Sequence, residues 1–194
     1  MSDMSPKPVS ALDRATFEGP LVSIAEAGPV GMITIRGDFA DAGFAKAVEA
    51  AAGVAVPEVR TFAETATGGL GWMSPDELLW VLPYDDAPKA ATDLSAALGD
   101  SHHMVVNVSD ARTVLRVTGK AARELIAKGA PVDMSPAAFA AGQFRRSHIG
   151  QLAAAFWVSG DERTITIVCF RSAGAYLFAW LSESARDGAT PGLY

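Results

Sequence analysis

The apolar residues of this chain fall into short runs whose spacing alternates between two and about three and a half, the periods of strands and helices. Val30–Arg36 alternates around Met32, Ile33 and Ile35 and stops at Gly37-Asp38, which reads as a strand closed by a turn. Ala42–Ala52 carries Phe44, Val48 and Ala52 at helical spacing and ends at Gly53. Pro57–Phe62 reads as a second strand and Thr67-Gly68-Gly69 as a turn. Within residues 70–82, Ser74-Pro75-Asp76-Glu77 has the form of a capping box with Pro at the first helical position. Only five apolar residues follow before Pro83, too few for a stable helix, and Ser-Pro also suits the first two positions of a type I turn. The run therefore predicts a hairpin, with Trp72-Met73 entering and Leu78–Leu82 leaving. Trp80 and Leu82 then point to one side, Leu79 and Val81 to the other. Both sets are apolar, so both faces require cover: helices on one, a second layer or a partner on the other.

Further along, Ala87–Leu98 is helical and stopped by Gly99, and Met104–Val108 and Thr113–Val117 are strands flanking Ser109-Asp110-Ala111-Arg112. Gly119–Lys128 reads as a helix ended by Gly129, and Ser135-Pro136 opens a short helical turn reaching Gly142. Leu152–Val158 and Thr164–Phe170 form a hairpin around Ser159-Gly160-Asp161-Glu162, and Ser172 is placed to cap a last helix, Ala173–Ala185. Residues 1–20 hold three prolines and little periodicity, which suggests a tail, mobile or docked on a partner. Asp187–Tyr194 reads as a loose C-terminal tail, leaving 21–186 as a single domain. The fold class is α+β, a mostly antiparallel sheet with helices packed on it. The order of helices and strands is loosely similar in the two halves, without a strong sequence repeat.

Composition narrows the function. The chain has 194 residues, 49% of them hydrophobic, and a mean hydropathy of +0.20. That value points to apolar surface covered by a partner. No stretch of 18 apolar residues exists to span a membrane, and Met1–Arg14 lacks the apolar segment of a signal peptide. One cysteine, Cys169, fits a reducing cytoplasm and, in its apolar run, a buried inert thiol. Net charge of −6 argues against a nucleic-acid surface, and Arg145-Arg146, the one adjacent basic pair, reads as solvated or interfacial.

Catalytic signatures fail one by one. The histidines are His102, His103 and His148, and adjacent strand residues face opposite ways, so no metal site is assigned. Gly119-Lys120 precedes a helix as in a phosphate loop, but Val114 stands where the loop needs glycine and Ala121 where it needs Ser or Thr. Gly69-Leu70-Gly71 lacks the third glycine of a dinucleotide fingerprint. There is no Gly-x-Ser-x-Gly, and Arg36-Gly37-Asp38 reads as a turn. Asp110 and Arg112 either form a local ion pair worth under ~1 kcal/mol or leave Arg112 to dock a partner carboxylate through both its nitrogens. Core packing is the first role of Trp72, Trp80, Trp157 and Trp180, but aromatics are enriched at interface centres. Trp72, Met73, Arg112 and Trp180 are the candidates for a partner-facing surface. No catalytic, cofactor-binding or metal-binding residue is assigned.

The run Trp72-Met73-Ser74-Pro75-Asp76-Glu77-Leu78-Leu79 resembles the gamma subunit of heterotetrameric sarcosine oxidase. So do Val106-Asn107-Val108-Ser109-Asp110-Ala111-Arg112-Thr113-Val114-Leu115-Arg116-Val117-Thr118-Gly119, with Ala121 and Arg123-Glu124-Leu125 beyond it, Gly129-Ala130-Pro131-Val132-Asp133-Met134, and Phe170-Arg171-Ser172-Ala173-Gly174-Ala175-Tyr176. Asn107 departs from the Asp of the family pattern. The resemblance covers about residues 20–185 and implies a fold similar to the folate-binding aminomethyltransferase domain of the glycine cleavage system. In those enzymes a strand following a glycine carries the working acid. Here Gly150-Gln151-Leu152-Ala153-Ala154-Ala155-Phe156-Trp157 has no carboxylate, and Ala155 stands in its place.

The resemblance further implies a cytoplasmic complex with alpha, beta and delta subunits that demethylates sarcosine oxidatively to glycine. Hydrogen peroxide and formaldehyde or methylenetetrahydrofolate would be the other products. FAD, FMN and NAD would reside on partner chains, with tetrahydrofolate as co-substrate and no cofactor on this chain. Its part would be assembly, burying on the order of 2,000 Å² or more of partly apolar surface. The alternatives are a free-standing folate-binding one-carbon enzyme or repair protein, which needs an acid in 150–158 and further domains, and a homo-oligomeric binding module.

Overall fold

The computed structural model describes residues 7–186 and 191–193. The alternating runs form strands β1 (Thr16–Glu18), β2 (Val22–Glu26), β3 (Gly31–Arg36), β4 (Phe62–Thr65), β5 (Gly68–Ser74), β6 (Glu77–Leu82), β7 (Met104–Asn107), β8 (Arg112–Gly119), β9 (Phe144–Ile149), β10 (Leu152–Val158) and β11 (Thr164–Phe170). The helices are α1 (Ala42–Ala52), α2 (Ala87–Leu98), α3 (Ala122–Ala127) and α4 (Gly174–Ser184). Asp41 caps α1 by accepting from the Gly43 N–H, and Gly53 closes it at φ 73°.

The strands make two antiparallel sheets, ordered β1-β2-β8-β11-β10-β9 and β4-β5-β6-β3-β7. Strand alternation decides what each face meets. Ile33, Ile35, Leu78, Trp80 and Leu82 join Phe44, Val48, Leu94 and Leu98 of α1 and α2. Met32, Leu79, Val81, Phe62 and Met73 turn the other way, onto Val114, Val168, Ala155, Trp157 and Phe144 of the second sheet. That sheet's outer face, with Ile24, Leu115, Val117, Phe156, Ile165 and Ile167, packs on Leu125 and Ile126 of α3 and Leu177 and Leu181 of α4. The result is four layers: helices, sheet, sheet, helices. Both faces of β6 are covered as its alternation requires, the inner one by the second sheet.

The two halves repeat one plan. The segment β3-α1-β4-β5-β6-α2 lays its strands in the order β4-β5-β6-β3, and β8-α3-β9-β10-β11-α4 lays its own in the order β9-β10-β11-β8. Each half has its leading strand in the other's sheet: β2 pairs with β8, while β7 pairs with β3. This reciprocal exchange ties the sheets covalently through the β2–β3 and β7–β8 connections. At the opposite edge, Thr61 bridges Gln143 and the Phe144 N–H donates to Arg60 O at 2.7 Å.

Several expectations need correction. The strand expected at Pro57–Phe62 lies at 62–65; Val59-Arg60 is a turn, with Arg60 at φ 64°. The helix expected from Gly119 begins at Ala122, because β8 runs through Gly119. Ser172 does not cap α4; it sits in a single 3-10 turn, and the helix opens at Gly174 without a side-chain cap. The helical turn opened by Ser135-Pro136 is present, with Phe139 N–H donating to Ser135 O, but it spans one turn only and 141–142 is a separate turn. The tail expected over 1–20 fails at its end, where Thr16–Glu18 pairs with β2. Upstream, the Leu12 and Arg14 N–H groups donate to Glu26 at 3.1 and 2.8 Å, and Arg171 donates to Val9 O and Ser10 O. Residues 1–6 and most of the C-terminal tail lie outside the described residues, but Gly192 N–H donates to Glu124 at 2.6 Å.

Candidate functional site

Beyond the apolar seam that holds Leu79 and Val114, the inner faces of the sheets carry charge. Glu77 opens β6 and pairs in register with Arg36 of β3. Its carboxylate is almost fully buried, lying 2.9 Å from the Arg36 guanidinium and 3.6 Å from that of Arg146 on β9. Glu77 thus joins the two sheets through charge-assisted contacts. Asp76, in the preceding turn, lies 3.7 Å from Arg36 and accepts from the Ser74 hydroxyl at 2.6 Å. That hydroxyl, with Arg36 behind it, holds the Asp76 carboxyl below its ordinary pKa, while the bond to Glu77 raises that of Arg36.

Arg112, at the start of β8, lies within the field of Glu77 and Arg146. It is half-buried, and its guanidinium lies 4.3 Å from the centre of the Phe170 ring, its register partner on β11. Burial holds its pKa below the usual guanidinium value, against the favourable field of Glu77 and with the unfavourable one of Arg146. The local pair with Asp110 does not form: Asp110 accepts from the Tyr84 hydroxyl at 2.9 Å.

Trp72 and Met73 lie beside this cluster. With Arg60, Pro131, Asp133 and Arg146 they line a groove of about 540 Å³. Met73 is buried in the inter-sheet core and forms the groove's floor, while Trp72 is half-buried. Arg145 is not free for a ligand, because its guanidinium donates to Gln143 at 3.0 Å and to Phe144 O at 2.8 Å. Trp180 stands apart, on α4 behind the six-stranded sheet, and is also half-buried. Its ring fills the space above Gly129, where an added methyl would sit 2.6 Å from it. Trp80 and Trp157 are core residues. The structure therefore brings Trp72 and Met73 to a groove that Arg146 also lines, sets Arg112 in a separate small cavity within the field of Arg146 and Glu77, and leaves Trp180 on another face. Sequence reasoning took Glu77 as a turn residue and missed its role; the signal was an acid opening an otherwise wholly apolar strand.

At the other end of the sandwich a cleft of about 560 Å³ is lined by Val81, Tyr84, Arg116, Trp157, Thr164 and Thr166 among others. Its two carboxylates are engaged by the β10–β11 turn. Glu64 accepts from Gly160 N–H at 3.2 Å, and Asp161 accepts from the N–H groups of Arg163 and Thr164. Ala155 does not line this cleft; it is 4% exposed and packed in the seam, paired with Val168 and Arg146. Among the described residues no group of three His, Cys, Asp or Glu side chains could hold a metal, and no helix is long and apolar enough to cross a membrane. His103 lies between the bend at 101–102 and β7, with its ring bonded to Ser95 Oγ and Ser101 O.

The paired sheets clad in helices place the chain in the class of the aminomethyltransferase fold. Aminomethyltransferase T of the glycine cleavage system from Bartonella henselae superposes with a TM-score of 0.62 at 14% identity, over 87% of this chain and 48% of that one. A chain of heterotetrameric sarcosine oxidase from Corynebacterium sp. U-96, solved with pyrrole 2-carboxylate, superposes with a TM-score of 0.82 at 23% identity, over 91% and 93%. The model of the sarcosine oxidase gamma subunit family matches residues 36–187. Sarcosine oxidase subunit gamma of Corynebacterium sp. (strain P-1) is 32% identical over 144 residues, 73% of this chain and 68% of that one. The subunit gamma of Arthrobacter sp is 30% identical over 175 residues, 88% and 82%. The chain belongs to the sarcosine oxidase gamma subunit family.

Proposed function

We propose that this chain is the non-catalytic gamma subunit of a cytoplasmic heterotetrameric sarcosine oxidase, assembled with alpha, beta and delta subunits. The complex converts sarcosine to glycine, releasing hydrogen peroxide and formaldehyde or methylenetetrahydrofolate. FAD, FMN and NAD belong to the partner chains, with tetrahydrofolate as co-substrate. Family membership supports the place in the complex. The observation that carries the non-catalytic part is β10. It holds no carboxylate, and Ala155 is sealed between the sheets, where a methyl group can neither accept a proton nor stabilise a cation. Trp72, with Met73 beside it, and the separate Arg112 corner are proposed as partner-facing, and Trp180 as a further contact on another face.

The test is co-expression with the flavin-bearing chains. The chain should co-purify with them in fixed ratio, and Trp72→Glu should weaken that association while the isolated variant keeps its melting temperature. Alone, the chain should be colourless and inactive on sarcosine, and should bind tetrahydrofolate weakly or not at all by calorimetric titration. A micromolar constant for the isolated chain would favour the free-standing folate enzyme instead.

A further inference from the structure

We infer that the Arg112–Phe170 corner is a socket for an acidic side chain, Asp or Glu, presented by a partner subunit. The inference rests on the proposed place in the complex and adds where one partner docks and by what chemistry. Its first support is an unmet donor set. The Arg112 guanidinium makes no hydrogen bond or ion pair among the described residues, although it is half-buried and its plane is steadied by the Phe170 ring. A guanidinium presents five donors in a fixed fork, and withdrawing them from water without an acceptor is costly.

The second support is the local charge count. Arg36 and Arg146 are matched by Asp76 and Glu77 through the contacts of 2.9, 3.6 and 3.7 Å. Adding Arg112 makes three guanidinium groups against two carboxylates in the cluster, on a chain whose net charge is −6; Asp110 and Glu26, which line one small cavity with Arg112 and Arg171, are bonded to Tyr84 and to the N-terminal arm instead. One further carboxylate balances the cluster.

The rim supplies the third support. Phe170 is 52% exposed, and Met104 and Val106 on edge strand β7 are 40% and 42% exposed. Met104 pairs with Arg36 and Val106 with Thr34, while their neighbour Val105 faces the helices. Met104 and Val106 therefore extend the same inner face that carries Arg36 and Thr34. An apolar rim around a charged anchor is how an interface excludes water from its strongest contact. A free small anion would leave that rim exposed. A second copy of this chain would bring an identical cluster, again with three guanidinium groups against two carboxylates. The N-terminal arm passes beside Arg112, with Val9, Ser10 and Ala11 on one small cavity with it, but it is fastened there to Glu26 and Arg171 and none of these three residues offers a carboxylate.

The experiment uses the assembled complex and measures how fast its gamma chain exchanges with labelled wild-type gamma chain. Arg112→Ala should speed exchange by about tenfold or more, the loss typical of truncating one partner of a desolvated ion pair. Arg112→Lys should recover only part of it, because an ammonium cannot make the two parallel bonds. Val106→Glu, at an exposed position that leaves Arg112 and the core in place, should also speed exchange, and Arg116→Ala, in the distant cleft, should not. Arg112→Ala and Val106→Glu complexes that both exchange within twofold of wild type would overturn the socket while leaving the assembly reading intact. A wild-type chain that never joins the complex would overturn both. Loss of a gamma–gamma dimer, rather than of the heteromeric contact, in Arg112→Ala would also overturn the socket.

Discussion

Phe62 is the residue on which the seam between the sheets depends most, and its truncation is the sharpest test of the packing. Its ring lies 4.3 Å from that of Trp157 and 6.3 Å from that of Phe144, both at 11°, and Phe144 and Trp157 are themselves 5.9 Å apart. This stack joins β4 of one sheet to β9 and β10 of the other, at the edge where the Phe62 N–H also donates to Gly142 O at 2.8 Å. With only 5% of Phe62 exposed, Phe62→Ala loses the buried ring and leaves a cavity between two rigid layers. Such changes cost about 3–5 kcal/mol, a large part of the 5–15 kcal/mol that holds a typical domain together. At about 2–4 °C per kcal/mol for a chain of this size, the melting temperature should fall by roughly 6–20 °C. The urea m-value should stay unchanged. Phe62→Leu should cost much less, and a double-mutant cycle with Trp157→Leu should give a coupling of about 0.5–1.5 kcal/mol for the ring pair. Differential scanning calorimetry and urea titration decide it. A Phe62→Ala chain melting within about 3 °C of wild type would refute the seam as a tightly packed core.

Two further predictions concern buried ionisable groups. Burial works against ionised Glu26, but hydrogen bonds from Ser10, Arg14, Leu12 and Thr113 prevail and hold its pKa below the ordinary 4.5. Its contribution is therefore fully present above that value and lost as pH falls through the lower folded one. Amide protection at Leu12 and Arg14 should persist from pH 7 to 5 and be lost only at pH below the ordinary 4.5 of the carboxyl, and protection that does not change down to the acid limit of folding would contradict the anchoring. Burial pushes the Cys169 thiol up to about 11, against the opposing field of Arg112. The native chain should not react with a disulfide reagent at pH 8 but should expose one thiol when unfolded; rapid reaction of the folded chain would refute this.

Much of this fold is legible in the sequence because single elements obey single periods. The bounds of α1 and α2 follow from apolar spacing and the glycines that end them, and those of β10 and β11 from their largely apolar runs. Strand β9 is harder to see. Its buried apolar residues, Phe144 and Ile149, stand only at its two ends, and Arg145, Arg146, Ser147 and His148 lie between them. Charged residues on an edge strand satisfy pairing without an apolar alternation. Strand β2 does alternate through Val22 and Ile24, but its partner β8 is far along the chain, and no local pattern announces an exchange of leading strands. The same distance hides the site. Arg36, Glu77 and Arg146 come from separate strands, and only the stacking of the sheets brings them together. Arg112 was visible as a docking candidate, whereas its isolation from Asp110 was not.

A chain that works by joining other chains should be needed for their assembly. The proposed alpha, beta and delta partners are expressed with and without this chain, and the mass and sarcosine turnover of the purified assembly are compared. With it, a complex of four different chains should survive high salt, because apolar contacts are not screened, and should turn over sarcosine. Without it, the assembly should be depleted or unstable. Partner chains that assemble fully and oxidise sarcosine normally in its absence would contradict the account.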